Sequence, residues 1–353
     1  MTALTPWLLE PRDLLVVRDA RPAKGTNRMR SLRFPSSATV AGCVRTQLGA
    51  GADGWASVLQ LEVAGPWLVD LVQSEILCPA PRDCFWSGTK ADRRFNPLRP
   101  SLAPDGLQSN LPDGLRLVQA VGGHDASKAV PGPAFWRWSA MEAWLLGREP
   151  DQSAGPDAAL STEERTHVAI DREAGTARDA ALFSVEGLRF GDLKTRYALG
   201  FAVGGARAET LQPGLVRLGG EGHMSRLSRA GALPPLTEAL ATRLACASGV
   251  WRVVLLTPGI FEAGWRPSEA RIRACFGETA ILVAACVDRP QVLSGWDFVG
   301  EGRPKKSRRA APAGSVYWIE GVTKPPGEAW MASLCDDEQD RRDGFGRMLL
   351  GVG

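Results

Sequence analysis

The sequence predicts an α+β fold made of two units of the split βαβ kind. Strand, helix and strand follow one another near the amino terminus, and the pattern begins again after Arg196. Helical stretches carry apolar residues at helical spacing, whereas the strands are short runs bounded by Gly and Pro. The 353 residues include 39 Gly and 25 Pro, with 44% hydrophobic and 23% charged residues, which describes a folded chain rich in turns. Such a sheet, covered by helices on one face, offers its other face to single-stranded nucleic acid. Two domains are expected at this length, residues 1–192 and 193–353.

Taken in order, residues 5–17 read as an edge strand broken by Pro6 and Pro11, then a strand over Leu14–Val17. A basic loop follows to Phe34, bearing Arg18, Arg21, Lys24, Arg28, Arg30 and Arg33. Between Arg12 and Arg45 eight Arg or Lys face two Asp, although the whole chain carries only +3, so the remainder is slightly acidic. A basic loop held between a strand and a helix suits a phosphate backbone, or is simply solvated. The helix runs to Leu48 with Ala38, Ala41, Val44, Arg45 and Leu48 at helical spacing. Ser36 or Ser37 caps it, and Gly49 stops it. Strands are expected over 58–71, around Gly65-Pro66, and over 76–81, and residues 87–113 read as an irregular insertion. Residues 136–145 suit a short helix. Further on, a strand at His167–Ile170, a turn at Asp171–Thr176 and a strand at Ala181–Phe190 are expected.

The second half offers a strand at Tyr197–Val203, a run at Leu215–Leu218 and the turn Gly219-Gly220-Glu221-Gly222. A helix is expected over 235–247, with strands at Trp251–Leu256, Ile281–Val287, Val292–Val299 and Ser315–Ile319. Five Arg or Lys cluster within Arg303–Arg309. Ala329–Leu334 reads as helical. The end, with Gly344, Phe345 and Gly346, is a Gly-rich turn feeding a final strand.

No phosphate-binding GxxxxGK[ST] loop, dinucleotide fingerprint or GxSxG nucleophile turn is present. The three histidines, His124, His167 and His223, have no companions at metal-ligand spacing, and the seven cysteines are scattered. They read as reduced, mostly buried thiols of a cytoplasmic protein. No catalytic, metal or cofactor site is expected, and no apolar run is long enough to cross a membrane. The Gly219–Gly222 turn either lets a phosphate approach its N–H groups or is only a tight turn. His167 beside Arg165, and His223 beside Arg226, are RNA contacts or ordinary surface residues. Phe345 is a stacking group or a core anchor. The cluster at Arg303–Arg309 holds phosphate, another protein or water.

The amino-terminal run RDARP and FPSSATVAGCVR, with Arg18, Asp19, Arg21, Pro22, Phe34, Pro35, Ser37, Thr39, Ala41, Gly42 and Arg45, resembles a known pattern. It is similar to the third-subunit family of the type III-B CRISPR Cmr effector complex, within the RAMP superfamily. Thr166–Phe190, LGGEGHMSR at Leu218–Arg226, SGWD at Ser294–Asp297, Lys305–Glu320 and RRDGFGR at Arg341–Arg347 extend the likeness in the same order. The terminal loop departs from the superfamily, having only Gly344 and Gly346 where a longer Gly run is common.

The resemblance implies two ferredoxin-like, RRM-like RAMP domains with irregular insertions. It implies a non-catalytic subunit that holds the 5′ repeat tag of the crRNA and bridges the large polymerase-like subunit (Cas10 type) to the RAMP backbone subunit. The expected RNA contacts are Arg18, Arg21, Lys24, Asn27, Arg28, Arg30 and Arg33. His167, Arg178, Gly220, Gly222, Arg226, Lys305, Arg308, Gly344 and Gly346 complete the set. The alternatives are a metal-independent RAMP endoribonuclease acting on repeat RNA through His167 or His223, and a protein scaffold whose neighbours alone hold the RNA.

Overall fold

The computed structural model describes residues 4–19, 28–49, 54–89, 92–102, 108–121, 129–150, 160–192, 194–229, 233–247, 249–297 and 303–353. It is a mixed α+β fold in two compact units. Unit 1 comprises Met1–Ser74, Ala159–Gly231 and Val292–Arg308; unit 2 comprises Glu75–Ala158, Ala232–Gln291 and Arg309–Gly353. This division does not follow the expected border at 192/193. The strand Tyr197–Gly204 pairs with strands from the first 74 residues, so the chain is still building unit 1 well past that point.

Unit 1 contains β1 (Thr5–Pro11), α1 (Ser37–Leu48), β2 (Glu62–Asp70), β3 (Ser161–Ile170), β4 (Ala177–Arg189), β5 (Tyr197–Gly204), β6 (Gly214–Arg217) and β7 (Met224–Ser228). Its strands lie in the order β6-β7-β1-β5-β2, with every pairing antiparallel. Strand β5 therefore sits between β1 and β2, the two strands joined through α1, which is the split βαβ arrangement. No second helix crosses over between β5 and β7; the 3₁₀ turn Ala208–Thr210 and β6 occupy that connection.

The prolines of β1 suggested an edge, yet β1 is central. Pro6 pairs with β5 beyond the end of the β7 ladder, and Pro11 pairs with β7 beyond the end of the β5 ladder. Each missing N–H thus falls where β1 has one neighbour only. The second predicted strand, Leu14–Val17, is buried but does not form a ladder. Leu15 exchanges two backbone bonds of 2.9 Å with Leu188, Val17 accepts from Leu32 N at 2.7 Å, and Val16 accepts from Gly220 N at 2.7 Å. Three different neighbours bond Leu15, Val16 and Val17, so no single strand partner is required.

Helix α1 begins as expected, but its inward residues are Ser37, Val40, Ala41, Val44 and Arg45; Ala38 faces solvent. Ser36 is the N-cap residue, although its hydroxyl pairs with that of Thr39 at 3.1 Å and not with a backbone N–H. Buried Arg45 donates to the carbonyls of Val58 and Leu61 at 3.0 and 3.4 Å. The resemblance-bearing FPSSATVAGCVR stretch thus fixes the helix to the chain that follows it.

Unit 2 contains β8 (Trp251–Leu255), α2 (Glu269–Phe276), β9 (Ile281–Cys286), β10 (Val316–Glu320), α3 (Glu338–Arg342) and β11 (Met348–Val352). Its sheet order is β9-β10-β8-β11, all antiparallel. Helix α2 connects β8 to β9 and α3 precedes β11, giving the complete βαββαβ order. Sequence reasoning missed both helices. The signals were Ser268, whose Oγ accepts from Arg271 N at 3.2 Å, Gly277 at φ +104°, and Asp337, which accepts from Asp340 N at 2.9 Å. Trp251, Val253 and Leu255 point into a core with Ile272, Phe276, Tyr317 and Ile319.

The opposite face of this sheet was expected to be open. It is not. Arg252 is fully buried there and donates to Trp144 O at 2.5 Å, and a Cβ on Gly351 would lie 2.7 Å from Leu145 Cα. The helix Trp138–Leu145 therefore lies against it. Residues 87–113, expected to be irregular, supply the strand Arg93–Ser101, which pairs with Cys84–Gly88 and Leu117–Ala120.

Candidate nucleic-acid interface

In unit 1, β3 and β4 form a long antiparallel hairpin in register from Ser161↔Arg189 to Val168↔Leu182. Its exposure reflects its sequence: Val168, Ile170, Leu182 and Phe183 are large apolar residues open to solvent. His167 stands opposite Phe183, and the two rings stack with centroids 5.3 Å apart and planes 18° apart. A stacked pair of exposed flat rings is a platform on which a further base can stack.

The basic loop returns onto this hairpin. The two-residue strand Arg28–Met29 pairs in parallel with Ser184 and Val185 of β4. Arg28 Nη2 lies 2.6 Å from Glu164 and 3.6 Å from Glu186, and Ser31 N donates to Glu186 at 3.4 Å. Ser31 also ties the outgoing limb of the loop to the incoming one, donating to Val17 O and accepting from Val17 N, each at 3.1 Å. Both limbs are thus clamped beside the hairpin.

The predicted contacts separate into distinct groups. Arg18, Arg30 and Arg33 are exposed, and their side chains make no ion pair among the described residues. Arg28 is exposed but serves the hairpin carboxylates. Arg21, Lys24 and Asn27 lie outside the described residues. Arg178 is exposed, 4.0 Å from Asp171. Arg226 is exposed beside an open hollow of about 590 Å³, lined also by Arg12, Leu215 and Met224. Lys305 and Arg308 are exposed in unit 1.

The glycines have structural duties. Gly219 is at φ +73°, and a Cβ there would fall 2.4 Å from Val16 O, so this glycine permits close approach of the Leu14–Val17 segment. The N–H of Gly220 already donates to Val16 O, which removes it as a phosphate donor; Gly222 has open space around it. The terminal loop is buried in unit 2. Gly344 accepts from Thr257 Oγ1 at 2.7 Å, Gly346 N donates to Pro258 O at 2.8 Å, and Phe345 is 1% exposed. Phe345 is therefore a core anchor, and Gly344 and Gly346 do not present a surface to RNA.

No group of His, Cys, Asp and Glu suited to a metal ion occurs among the described residues. His223 Nδ1 is 3.7 Å from Asp13 Oδ2, too far for a hydrogen bond. Asp13 is instead held by Arg165 at 2.9 and 3.2 Å, and that guanidinium keeps its carboxyl below the usual range. The cysteines are free thiols, with Cys78 and Cys335 buried and Cys246 exposed. No helix among the described residues is long and apolar enough to cross a membrane.

Phe183 was missed as a functional residue. The turn at Asp171–Thr176 alone would set Ala180 opposite His167; an irregularity between Val168 and Ile170 shifts the register by three residues and brings Phe183 there, which the sequence does not announce.

Comparison with known proteins follows this geometry. No curated protein matches. A cryo-EM structure of a type III-B Cmr-beta bound to cognate target RNA and AMPPnP contains a chain of similar fold. It has a TM-score of 0.51 and 13% identity, covering 89% of this chain and 86% of that one. A second structure of Cmr-beta bound to cognate target RNA gives a TM-score of 0.49 and 14% identity over the same shares. The model of the family described as CRISPR-associated protein (Cas_Cmr3) matches residues 7–353, and the chain belongs to that family.

Proposed function

We propose that this chain is a non-catalytic crRNA-binding subunit of a type III-B CRISPR Cmr effector complex. In this reading it holds the 5′ repeat tag and bridges the large polymerase-like subunit to the RAMP backbone subunit. The observation that carries the reading is the clamping of the basic loop onto the β3–β4 hairpin. It sets Arg18, Arg30 and Arg33, which make no ion pair among the described residues, in the same unit as the His167–Phe183 ring pair. Arginine forks grip phosphates while flat rings take unstacked bases, which is how single strands are held. Family membership supports the wider assignment.

The test is photo-crosslinking in the assembled complex, with crosslinkable nucleotides placed in turn along the crRNA tag. Crosslinks to residues 18–33 and 165–185 are expected. Crosslinks confined to other subunits would leave this chain as a protein scaffold and overturn the reading.

A further inference from the structure

Unit 2 contains a cavity of about 360 Å³ that the RNA reading does not use. Its walls include Arg99, Arg116 and Arg243, with Cys246, Val250 and Val352. The three guanidinium groups come from separate elements. Arg99 lies in the strand Arg93–Ser101, Arg116 immediately precedes the strand Leu117–Ala120, and Arg243 is in the last turn of the helix Glu238–Ala245.

Charge is unevenly matched here. Arg116 pairs with Glu320 at 2.6 and 2.8 Å. Asp83, fully buried, is 2.8 Å from Arg252 Nε and 3.9 Å from Arg99 Nη1. Arg243 makes no ion pair among the described residues. Among the described residues, Asp83 and Glu320 are the carboxylates within 4 Å of these guanidinium groups, and the exposed Glu149 adds its field at Arg99. Arg99 is held in place by the Trp144 ring, 4.5 Å from its guanidinium, and by donating to Leu98 O at 3.0 Å. Burial lowers its pKa, against the opposing field of Asp83.

A partly enclosed space of this size falls within the range of small-molecule sites, roughly 300–1,000 Å³. Planar guanidinium forks match phosphoryl oxygens, and a phosphate monoester carries about −1.5 to −2 at pH 7, against −1 for a carboxylate. The apolar walls at Pro100, Val250 and Val352 suit a short carbon skeleton attached to it. We propose that this cavity binds a phosphate monoester of small-molecule size, separately from the RNA contacts of unit 1.

Calorimetry on the full chain would test this with ribose 5-phosphate and inorganic phosphate, and with ribose and glutarate as controls. Saturable binding of ribose 5-phosphate is expected, weakening as salt rises. Glutarate should bind about tenfold more weakly and ribose not at all. Equal affinity for inorganic phosphate would confine recognition to the phosphoryl group; tighter ester binding would assign a role to the apolar walls. Arg243→Glu, on an exposed helix face, should reduce affinity about tenfold or more without moving the melting temperature. Arg243→Gln should reduce it less. Absence of binding at low salt would show that the chain itself satisfies these charges, and binding unchanged in Arg243→Glu would place the anion elsewhere; either result overturns the proposal. RNA affinity measured on the same variants reports on unit 1, so the two readings fail independently.

Discussion

The two units repeat one strand order, with the last strand beside the first, then the third and then the second, yet their arginines differ in burial. In unit 2 the guanidinium groups are internal hydrogen-bond hubs. Arg252 bonds Trp144 O, Arg271 bonds Ser333 O at 2.6 and 2.8 Å, and Arg341 bonds Cys335 O at 2.9 Å. Arg347, 1% exposed, bonds Met331 O and Arg341 O. In unit 1 Arg45 has a similar internal role, but Arg18, Arg30 and Arg33 stand in solvent on the limbs of a clamped loop. The sheet of unit 2 is closed on both faces, whereas unit 1 extends a hairpin with exposed rings. The buried arginines of unit 2 support the fold, whereas those on the clamped loop of unit 1 face solvent. Burial, not residue count, makes the distinction.

The strongest way to sharpen this comparison is to disturb the buried charge of unit 2. Burial pushes the Asp83 carboxyl up and Arg252 down to about 10, so desolvation opposes the pair even while each partner needs the other. Asp83→Asn leaves Arg252 buried without its counter-charge and should cost about 3–5 kcal/mol in chemical denaturation. An unchanged midpoint would mean that this cluster contributes nothing to the fold.

Next is the terminal loop. Gly346 is at φ +66°, and a Cβ would meet Cys335 N and Ser333 Oγ, each at 2.9 Å. Gly346→Ala should destabilise by about 1–3 kcal/mol through backbone strain and crowding. Lost RNA binding in a variant of normal stability would instead return this loop to the interface.

In unit 1, Phe183→Ala should weaken single-stranded RNA binding by about 1–3 kcal/mol per stacked base while leaving stability nearly untouched. The reverse outcome, lost stability with unchanged affinity, would make the ring pair a packing feature. The smallest effect is at Asp13. Its lowered pKa gives a contribution present above the ordinary carboxylate range and lost as pH falls through the lowered value. Arg165→Ala should raise that pKa toward the ordinary Asp value in an NMR titration, with little change in stability because both groups are largely exposed.

Much of the fold is legible in local pattern. α1, the β3–β4 turn and the final strand follow from apolar spacing, Gly and the turn residues. The rest depends on distant partners. Pro6 and Pro11 reveal a central strand only once the ends of two ladders are known, and the split of the chain into units depends on β5 joining strands more than a hundred residues earlier. α2 and α3 are short, and their evidence lies in the caps at Ser268 and Asp337 more than in any long apolar face. For the site, charge pointed to the basic loop, but only burial separates Arg30 from Arg252. GFGR leaves core and interface readings open because Gly permits both close packing and exposure; Thr257 and Pro258, far away in sequence, decide between them.

The most direct test of the account is the salt dependence of crRNA tag binding by the Arg18→Glu, Arg30→Glu, Arg33→Glu variant. If these three cations grip phosphates, affinity falls and the slope of log affinity against log salt becomes shallower by about 2, at roughly 0.7 per phosphate contact on a single strand. A variant that keeps its fold, affinity and slope would contradict the account.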